Sequence, residues 1–506
     1  MSSLTPEFLA WANQSDLRRV VAIEATIYRR SDGQPLTLYF SDAAPPRGTW
    51  DNINNFEVCV LSRPEVKYNA QEMTAGASLA GFGSMELGQD VNALLGPEGN
   101  LRWKDLHRDY RWGGGPVVCK GGGPDLPWIY WAVAQQGWMA RPTLEREKLT
   151  VPLKSLSAAL ATRSVARDLY TAADGVPSAT VGRSKPVAVG SAKNVTPVLV
   201  SEAPYTYQVH AYGPIQAIDQ VRVGDAVVSP SSINLTTGKF TLSSQPDGAV
   251  TCDVQGWIRG GVYLQTAAQI IDAVLRQWGG AGDEEIDAAG FSTGATAAPQ
   301  ALAVFWSNAL SVQNALDGVV LGLPIWWGDD PQGRYSLLEF GPPDGEPVLE
   351  VYDDTAKSIA PRYGAAVAWS VKRIPSAKWY SRVTVQGDRN WTPNATSADA
   401  WMQEEYRSRD ASGDAPTDNL EVSEETIATC MTSLDDCQAA AEREIELHGV
   451  ERVLVSFQCL YAALALRKGD LVRFYSDMAG MDDGFLGVVI AIELNLPYQA
   501  TVTLWG

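Results

Sequence analysis

The sequence is poor in the residues that most often carry metal and redox chemistry. It has 506 residues, but only six cysteines and three histidines, namely His107, His210 and His448. No CxxC or HxxxH motif occurs, so we expect no metal site, no Ser-His-Asp hydrolase and no disulfide framework. Cys430 and Cys437 share one face of a helical stretch, and we interpret all the thiols as buried apolar side chains.

Long apolar runs are also missing. No stretch of about 18 uncharged apolar residues occurs, so the sequence predicts no transmembrane helix. The N-terminal stretch MSSLTPEFLAWANQSDLRRV lacks the apolar core of a signal peptide. We therefore expect a soluble protein that is made in a cytoplasm.

Positive charge is scarce. Lysine and arginine number 40 against 59 aspartates and glutamates, which gives a formal net charge of −19 at pH 7. This balance argues against a nucleic-acid partner held by phosphate neutralisation, although DNA could still slide past a repelling wall. Much of the acid lies between Glu404 and Glu446, where a solvated face explains it.

Two glycine triplets flank a lysine in RWGGGPVVCKGGGPDLPWIYW, which runs from Arg111 to Trp131. A phosphate-binding loop needs a Ser or Thr after its lysine and a helix after the loop. Here Gly121 follows Lys120, and the prolines of PDLP are a poor helix start. The stretch instead predicts a short strand, PVVCK, between two glycine turns.

Paired carboxylates could perform glycosidase chemistry, but the sequence singles out no pair. Helix caps explain one pair and turns explain another, so we predict no catalytic residue, no cofactor and no enzyme activity. The pairs considered are Asp435–Asp436, Asp482–Asp483, Glu284–Glu285 and Asp329–Asp330.

Seventeen tryptophans suggest either sugar-stacking platforms or anchors in cores and interfaces. The segments PIWWGDDPQG and PWIYW are the clearest platform candidates. Because the aromatic residues are scattered over the whole chain, we favour anchors. The interface candidates are Trp128, Tyr130, Trp131, Trp326, Trp327 and Trp391.

Hydrophobic periodicity predicts a mainly β, multidomain chain with α+β parts. Helices are expected after a Thr266/Gln269 capping box, from Ser311, and from Thr432 or Ser433 to Gly449. The predicted order is a β-barrel domain over 1–156, an extended linker over 157–197, a small β domain over 198–256, an α+β domain over 257–360, and a second β-barrel domain with one packed helix over 361–506.

The order of several short motifs resembles baseplate hub and tail-tip proteins of long-tailed, siphovirus-like bacteriophages. The resemblance covers most of the chain, with the departure that the local cysteine cluster of iron–sulfur tail-tip proteins is missing, so no cluster is expected. The motifs are CKGGGPDLPWIYWAVAQQGWMA and KLTVPLKSL; then VTPVLVSEAPYTYQVHAYGPIQAIDQVRVGD; then VTVQGDRNW, DDCQAAAEREIELHG, VLVSFQCL, KGDLVRF and GFLGVVIAIELNLPYQATVTLWG.

The resemblance implies a structural virion protein, a homotrimeric hub at the tail tip that is assembled in the host bacterial cytoplasm. Two hub-type barrels per chain would form a ring of six that adapts a sixfold tail tube to a threefold tip. Implied partners are the distal tail protein ring, the tape measure protein and the central tip or fibre protein. Viral DNA would pass the lumen without specific binding, and the host envelope would be reached only through tip partners.

Two other functions stay open at this point. One is a carbohydrate- or receptor-binding tail protein, in which the tryptophans would line an exposed groove. The other is a cell-wall or polysaccharide hydrolase.

Overall fold

The structure is a computed structural model. It describes residues 7, 8, 11, 20–43, 56–58, 60–62, 65–70, 77–88, 101–146, 148–224, 226–330, 332–353, 366–375, 380–391, 407–410, 423–459, 466–478, 480–495 and 499–506. Cys59 and much of the acidic stretch that begins at Glu404 lie outside the described residues. Of the described cysteines, four are buried and Cys430 is half-buried.

The first sheet has ten strands, with the main order β3-β2-β1-β9-β10-β12-β7-β4 and with β8 and β11 at its sides. β5 and β6, which lie between β4 and β7 in the chain, belong to the barrel sheet described below. The elements of this part of the chain are β1 (Val20–Arg29), β2 (Pro35–Ser41), β3 (Phe56–Val58), β4 (Val60–Ser62), β5 (Glu65–Ala70), β6 (Ala77–Phe82), β7 (Ser84–Gly88), α1 (Trp103–Asp109), β8 (Tyr110–Arg111), β9 (Pro116–Gly122), β10 (Ala132–Met139), β11 (Thr143–Leu144) and β12 (Lys148–Lys154).

The alternation in β1 shows how this sheet acquires two buried faces. Ile23 and Ile27 point into the main core, where the short helix α1 adds Trp103. Val20 and Ala22 point the other way, into a separate aromatic cluster. Because successive strand residues face opposite sides, the sheet carries a packed layer on each side of β1.

The middle of the chain forms two small sheets, a group of helices and several strand pairs. The sheets have the orders β15-β22-β18-β19 and β16-β17-β21-β20. The elements are β13 (Ser164–Val165), β14 (Val187–Val189), β15 (Ser191–Val195), β16 (Val198–Glu202), β17 (Tyr205–Gln208), β18 (Ile215–Val223), β19 (Ala226–Val228), β20 (Ser232–Asn234), β21 (Lys239–Leu242), β22 (Val250–Arg259), β23 (Val262–Tyr263), α2 (Ala267–Val274), α3 (Ala288–Ala297), β24 (Val304–Trp306), β25 (Leu310–Ser311), α4 (Val312–Val320), β26 (Ile325–Asp329), β27 (Tyr335–Glu339) and β28 (Leu349–Asp353).

The C-terminal strands close into a barrel. The ring β35-β34-β28-β29-β33-β36 returns to β35 through a direct β35–β36 pairing. The remaining elements are β29 (Ala366–Pro375), β30 (Tyr380–Gln386), β31 (Arg407–Asp410), β32 (Ser423–Ala428), α5 (Leu434–His448), β33 (Val453–Cys459), β34 (Leu471–Tyr475), β35 (Phe485–Asn495) and β36 (Gln499–Trp505). The predicted fold class, mainly β and multidomain with α+β parts, is confirmed.

The barrel sheet does not end at β35. It continues through β5 and β6, from the N-terminal part of the chain, into β26 and β27. Only Gly83 separates β6 from β7, so the chain passes from the barrel sheet to the first sheet within one residue. The buried side chains of the two sheets accordingly belong to one continuous apolar cluster that includes Ile23, Phe82 and Phe457.

The predicted helix starts are confirmed. The Thr266 N–H donates to Gln269 Oε1 at 3.1 Å, and Ser311 Oγ accepts from the Asn314 N–H at 3.1 Å. Ser433 Oγ accepts from the Asp436 N–H at 3.3 Å, which fixes the start of α5. These side chains satisfy amide groups that the first helical turn leaves without partners. No helix among the described residues is long and apolar enough to cross a membrane.

Candidate functional site

The stretch with two glycine triplets forms a strand, as predicted, but the strand is longer than PVVCK. It runs from Pro116 to Gly122, so the first two glycines of the second triplet belong to the strand and not to a turn. Its lysine has partners within the chain: Lys120 Nζ lies 2.7 Å from Glu24 Oε1 and 4.4 Å from the centroid of the Trp128 ring. The second triplet leads into a single 3-10 turn, Trp128–Tyr130, rather than an α-helix. The lysine therefore links two strands and covers an aromatic ring.

An aromatic patch lies on the side of the first sheet that faces away from the main core. We use this name for Trp128, Ile129, Tyr130 and Trp131. Trp131 is buried and donates its indole N–H to the Leu126 carbonyl at 3.0 Å, and its ring lies 4.9 Å from that of Trp128. Trp128 and Tyr130 are half-buried, whereas Ile129 is 81% exposed. The patch thus has an anchored base and an apolar tip in solvent.

Gly122, the second glycine after Lys120, makes room for Trp131 at the base of the patch. A Cβ at Gly122 would overlap the Trp131 ring, whereas one at Gly113, in the turn before the strand, meets its nearest atom at 3.5 Å. We expect Gly122→Ala to lower the free energy of unfolding by about 1–3 kcal/mol through overpacking. Gly113→Ala is the matched control and should change it by less than about 0.5 kcal/mol. Denaturant titration of both variants measures the difference, and equal stabilities would contradict this packing.

Trp326 and Trp327 are buried within the chain, on opposite faces of β26. Trp327 is 1% exposed and donates its indole N–H to Asp317 at 2.8 Å, where burial raises the pKa of the carboxyl. Trp326 is 2% exposed and stacks on Phe340 at 4.2 Å between centroids, beside Trp505. Both rings connect β26 to other parts of the same chain rather than to a surface that a partner could reach.

Trp391 lies half-buried in a mostly apolar cleft of about 300 Å³. The cleft also contains Phe305, Trp306 and Cys430, whose pKa is raised to about 12 by burial. The backbone N–H of Trp391 donates to the backbone carbonyl of Lys193 at 3.1 Å. This tryptophan therefore joins the turn after β30 to the middle of the chain.

A buried junction of polar and charged side chains lies where three distant segments of the chain come together. Asp329 Oδ2 accepts from Ser157 Oγ at 2.7 Å and from the Ser157 N–H at 3.1 Å. Burial raises the pKa of Asp329 to about 6, against the opposing hydrogen bonds of Ser157 and the charge of Lys468. Burial also lowers the pKa of Lys468 to about 7, against the attraction of Asp329. Here the end of the first sheet, β26 and the turn before β34 meet.

The carboxylate pairs of the sequence have structural partners where they are buried. Asp329 binds Ser157, and its neighbour Asp330 is held by Arg334, with nitrogen–oxygen distances of 2.7 and 2.9 Å. Asp435 and Asp436 lie in the first turn of α5, where the helix dipole favours negative charge. Among the described residues, no group of three or more His, Cys, Asp or Glu side chains could hold a metal ion.

The structure of this β-rich chain is similar to solved structures of tail proteins. The tail protein of Neisseria meningitidis is 9% identical, with 96% of each chain covered and a TM-score of 0.43. The 43 kDa tail protein of a Shewanella oneidensis prophage is 8% identical, with 97% of this chain and 98% of that chain covered and a TM-score of 0.41. The prophage tail protein gp18 of Listeria monocytogenes is 7% identical, with 97% and 94% covered and a TM-score of 0.38. The sequence matches no protein-family model and no curated protein.

Proposed function

We propose that the protein is a structural component of a bacteriophage tail tip, namely its trimeric baseplate hub. The observation that carries the proposal is the closed C-terminal barrel, whose sheet takes in β5 and β6 from the N-terminal part of the chain. The strands β33, β34, β35 and β36 and the helix α5 hold, in order, the motifs that resemble those of tail-tip hubs. A chain with two such joined sheets supplies two hub domains per copy.

The joint between the N-terminal strands and the barrel suits a role in which the chain transmits mechanical force. β5 is hydrogen-bonded along β35, from Asn69 opposite Ala491 to Glu65 opposite Asn495, and β6 is bonded to β26. A ladder of this length must break before the barrel can move away from the N-terminal strands. Three copies would then present six sheets in fixed orientation, as an adaptor between a sixfold tube and a threefold tip requires.

The partners in this proposal are the distal tail protein ring, the tape measure protein and a central tip or fibre protein. With a net charge of −19, the chain would repel DNA phosphate wherever its acidic side chains line the lumen. Charge mapped onto the assembled ring tests this point. An acidic lumen is expected, and a basic or neutral one would contradict it.

The structure supports the carbohydrate-binding and hydrolytic functions less well than the structural one. Trp326 and Trp327 are too deeply buried to stack on a sugar, and one face of Trp128 carries the ammonium group of Lys120. Glycan arrays and peptidoglycan zymography with the purified protein should therefore both be negative. Saturable glycan binding or a cleared zone in the gel would favour a receptor-binding or hydrolytic role instead.

Localisation gives the direct test of the proposed role. Gold-labelled antibodies against the purified chain should bind intact particles at the distal end of the tail. Particles that lack the gene product should show no label and should fail to complete the tail. Label on the head or along the whole tube would contradict the proposal.

A further inference from the structure

A cleft of about 500 Å³ opens where the first sheet, the segment that follows it and the end of α2 meet. The first sheet supplies Trp138, Met139 and Lys154, and the π-helical turn that continues α2, Leu275–Gly279, supplies Gly279 and is followed by Gly280. Since these segments are far apart in sequence, the cleft exists only in the folded chain. Clefts at such junctions are common binding sites.

The charge of the cleft runs against that of the chain. Arg141, Lys154 and Arg163 line it, whereas Glu285 is the one acidic side chain among the described residues of its lining. All three cations are exposed. Among the described residues, none of the three has a carboxylate within ion-pair distance. A locally positive cleft in a chain of net charge −19 is therefore complementary to carboxylates.

Arg163 is held in place by its surroundings. Its carbonyl accepts the Val312 N–H at 2.8 Å, and its guanidinium lies where a Cβ of Gly280 would come within 2.9 Å of Nη1. Gly280 has a φ of +68° at the end of the helix, where the negative end of the helix dipole favours a cation. The guanidinium group therefore lies beside Gly280 at the edge of the cleft.

We propose that this cleft binds an acidic peptide segment of a protein partner. The three cations would bind its carboxylates, while the half-buried Trp138 offers apolar surface to the aliphatic parts of its side chains. A peptide meets only the local positive charge, whereas a long polyanion such as DNA also meets the acidic remainder of the chain. This inference does not depend on the trimeric hub.

Binding of rhodamine-labelled hexaglutamate to the full chain, followed by fluorescence anisotropy, tests the proposal. Binding should be saturable and weaken with added salt, and labelled hexaglutamine should not bind. Each of Arg141→Gln, Lys154→Gln and Arg163→Gln should raise Kd about 3-fold, and the triple variant about 30-fold. Arg167→Gln is the matched control, since Arg167 is an exposed arginine outside the cleft, and it should leave Kd within about 2-fold.

Thermal melts identify any variant that fails to fold, and the single variants then keep the test valid. The proposal is overturned if hexaglutamate shows no saturable binding, if hexaglutamine binds equally well, or if the folded triple variant binds like the wild type. Tighter binding of a short single-stranded oligonucleotide than of hexaglutamate would also overturn it, in favour of a phosphate site.

Discussion

Ile129→Asp should abolish assembly while leaving the isolated chain stable. Ile129 is 81% exposed at the tip of the aromatic patch, so the substitution removes almost no buried contact within one chain. In an assembly that covers the patch, the same change places a charge in an apolar contact. Buried apolar anchors dominate the energy of such interfaces, and we expect association to weaken by at least about 100-fold.

Val450→Asp is the matched control, because Val450 is also exposed, at 47%, but lies outside the patch. Sedimentation of the purified variants and complementation of tail assembly measure the effect. Trp128→Ala should reduce assembly in the same direction, since it removes the support beneath the tip. If Ile129→Asp assembles like the wild type, the patch is not an assembly contact.

Asp329→Ala should lower the free energy of unfolding by about 2–4 kcal/mol, because it removes the buried acceptor of two Ser157 hydrogen bonds. It also removes the negative charge that attracts Lys468. The combined change Asp329→Ala with Lys468→Met should recover part of the loss. A double-mutant cycle from denaturant titrations gives the coupling energy, and additive effects would mean that the two groups do not interact.

The junction also predicts a dependence of stability on pH. The pKa of Lys468 is lowered on folding to about 7, so the unfolded chain binds more protons between pH 7 and the ordinary lysine pKa. Stability from this group is therefore present at high pH and is lost as pH falls through about 7. The pKa of Asp329 is raised to about 6, so its contribution is present at low pH and is lost as pH rises through about 6.

Lys468→Met should remove the rise in stability above pH 7 that the wild-type chain shows. The expected size of this rise is on the order of 5 kcal/mol, because the pKa of Lys468 falls from 10.5 to about 7 on folding and each pKa unit corresponds to about 1.4 kcal/mol. Unfolding measured across the alkaline range in both proteins gives the comparison. An equal rise in both would assign the pH dependence to other groups.

Local features of the fold could be predicted from the sequence because their causes are local. Three such features depend only on neighbouring residues. They are the alternation of apolar and polar residues in β1, the helix caps at Thr266, Ser311 and Ser433, and the strand between the glycine triplets. α3 was not predicted, since its Ala, Gly, Ser and Thr residues show no apolar period. It is a helix because it packs on β27, where Gly294 lies against Leu337.

Features that depend on distant pairings could not be predicted. β5 and β35 come from opposite ends of the chain, and nothing near either strand specifies their register. The sequence favours Trp326 and Trp327 as anchors in a core or an interface, and only the folded chain shows that its own residues cover both faces of their strand. Nothing in the sequence distinguishes Arg141, Lys154 and Arg163 from other charged residues. Folding brings them together along one cleft.

The central claim is that three copies of this chain form a ring of six sheets between the tail tube and the tip. A cryo-electron microscopy reconstruction of the tail tip, calculated without imposed symmetry, tests it most directly. The account predicts threefold density between the tube and the tip, in which each copy contributes its first sheet and its closed C-terminal barrel to one ring. Sixfold density throughout that region, with one barrel per copy, would contradict it and would identify a distal tail or tube protein.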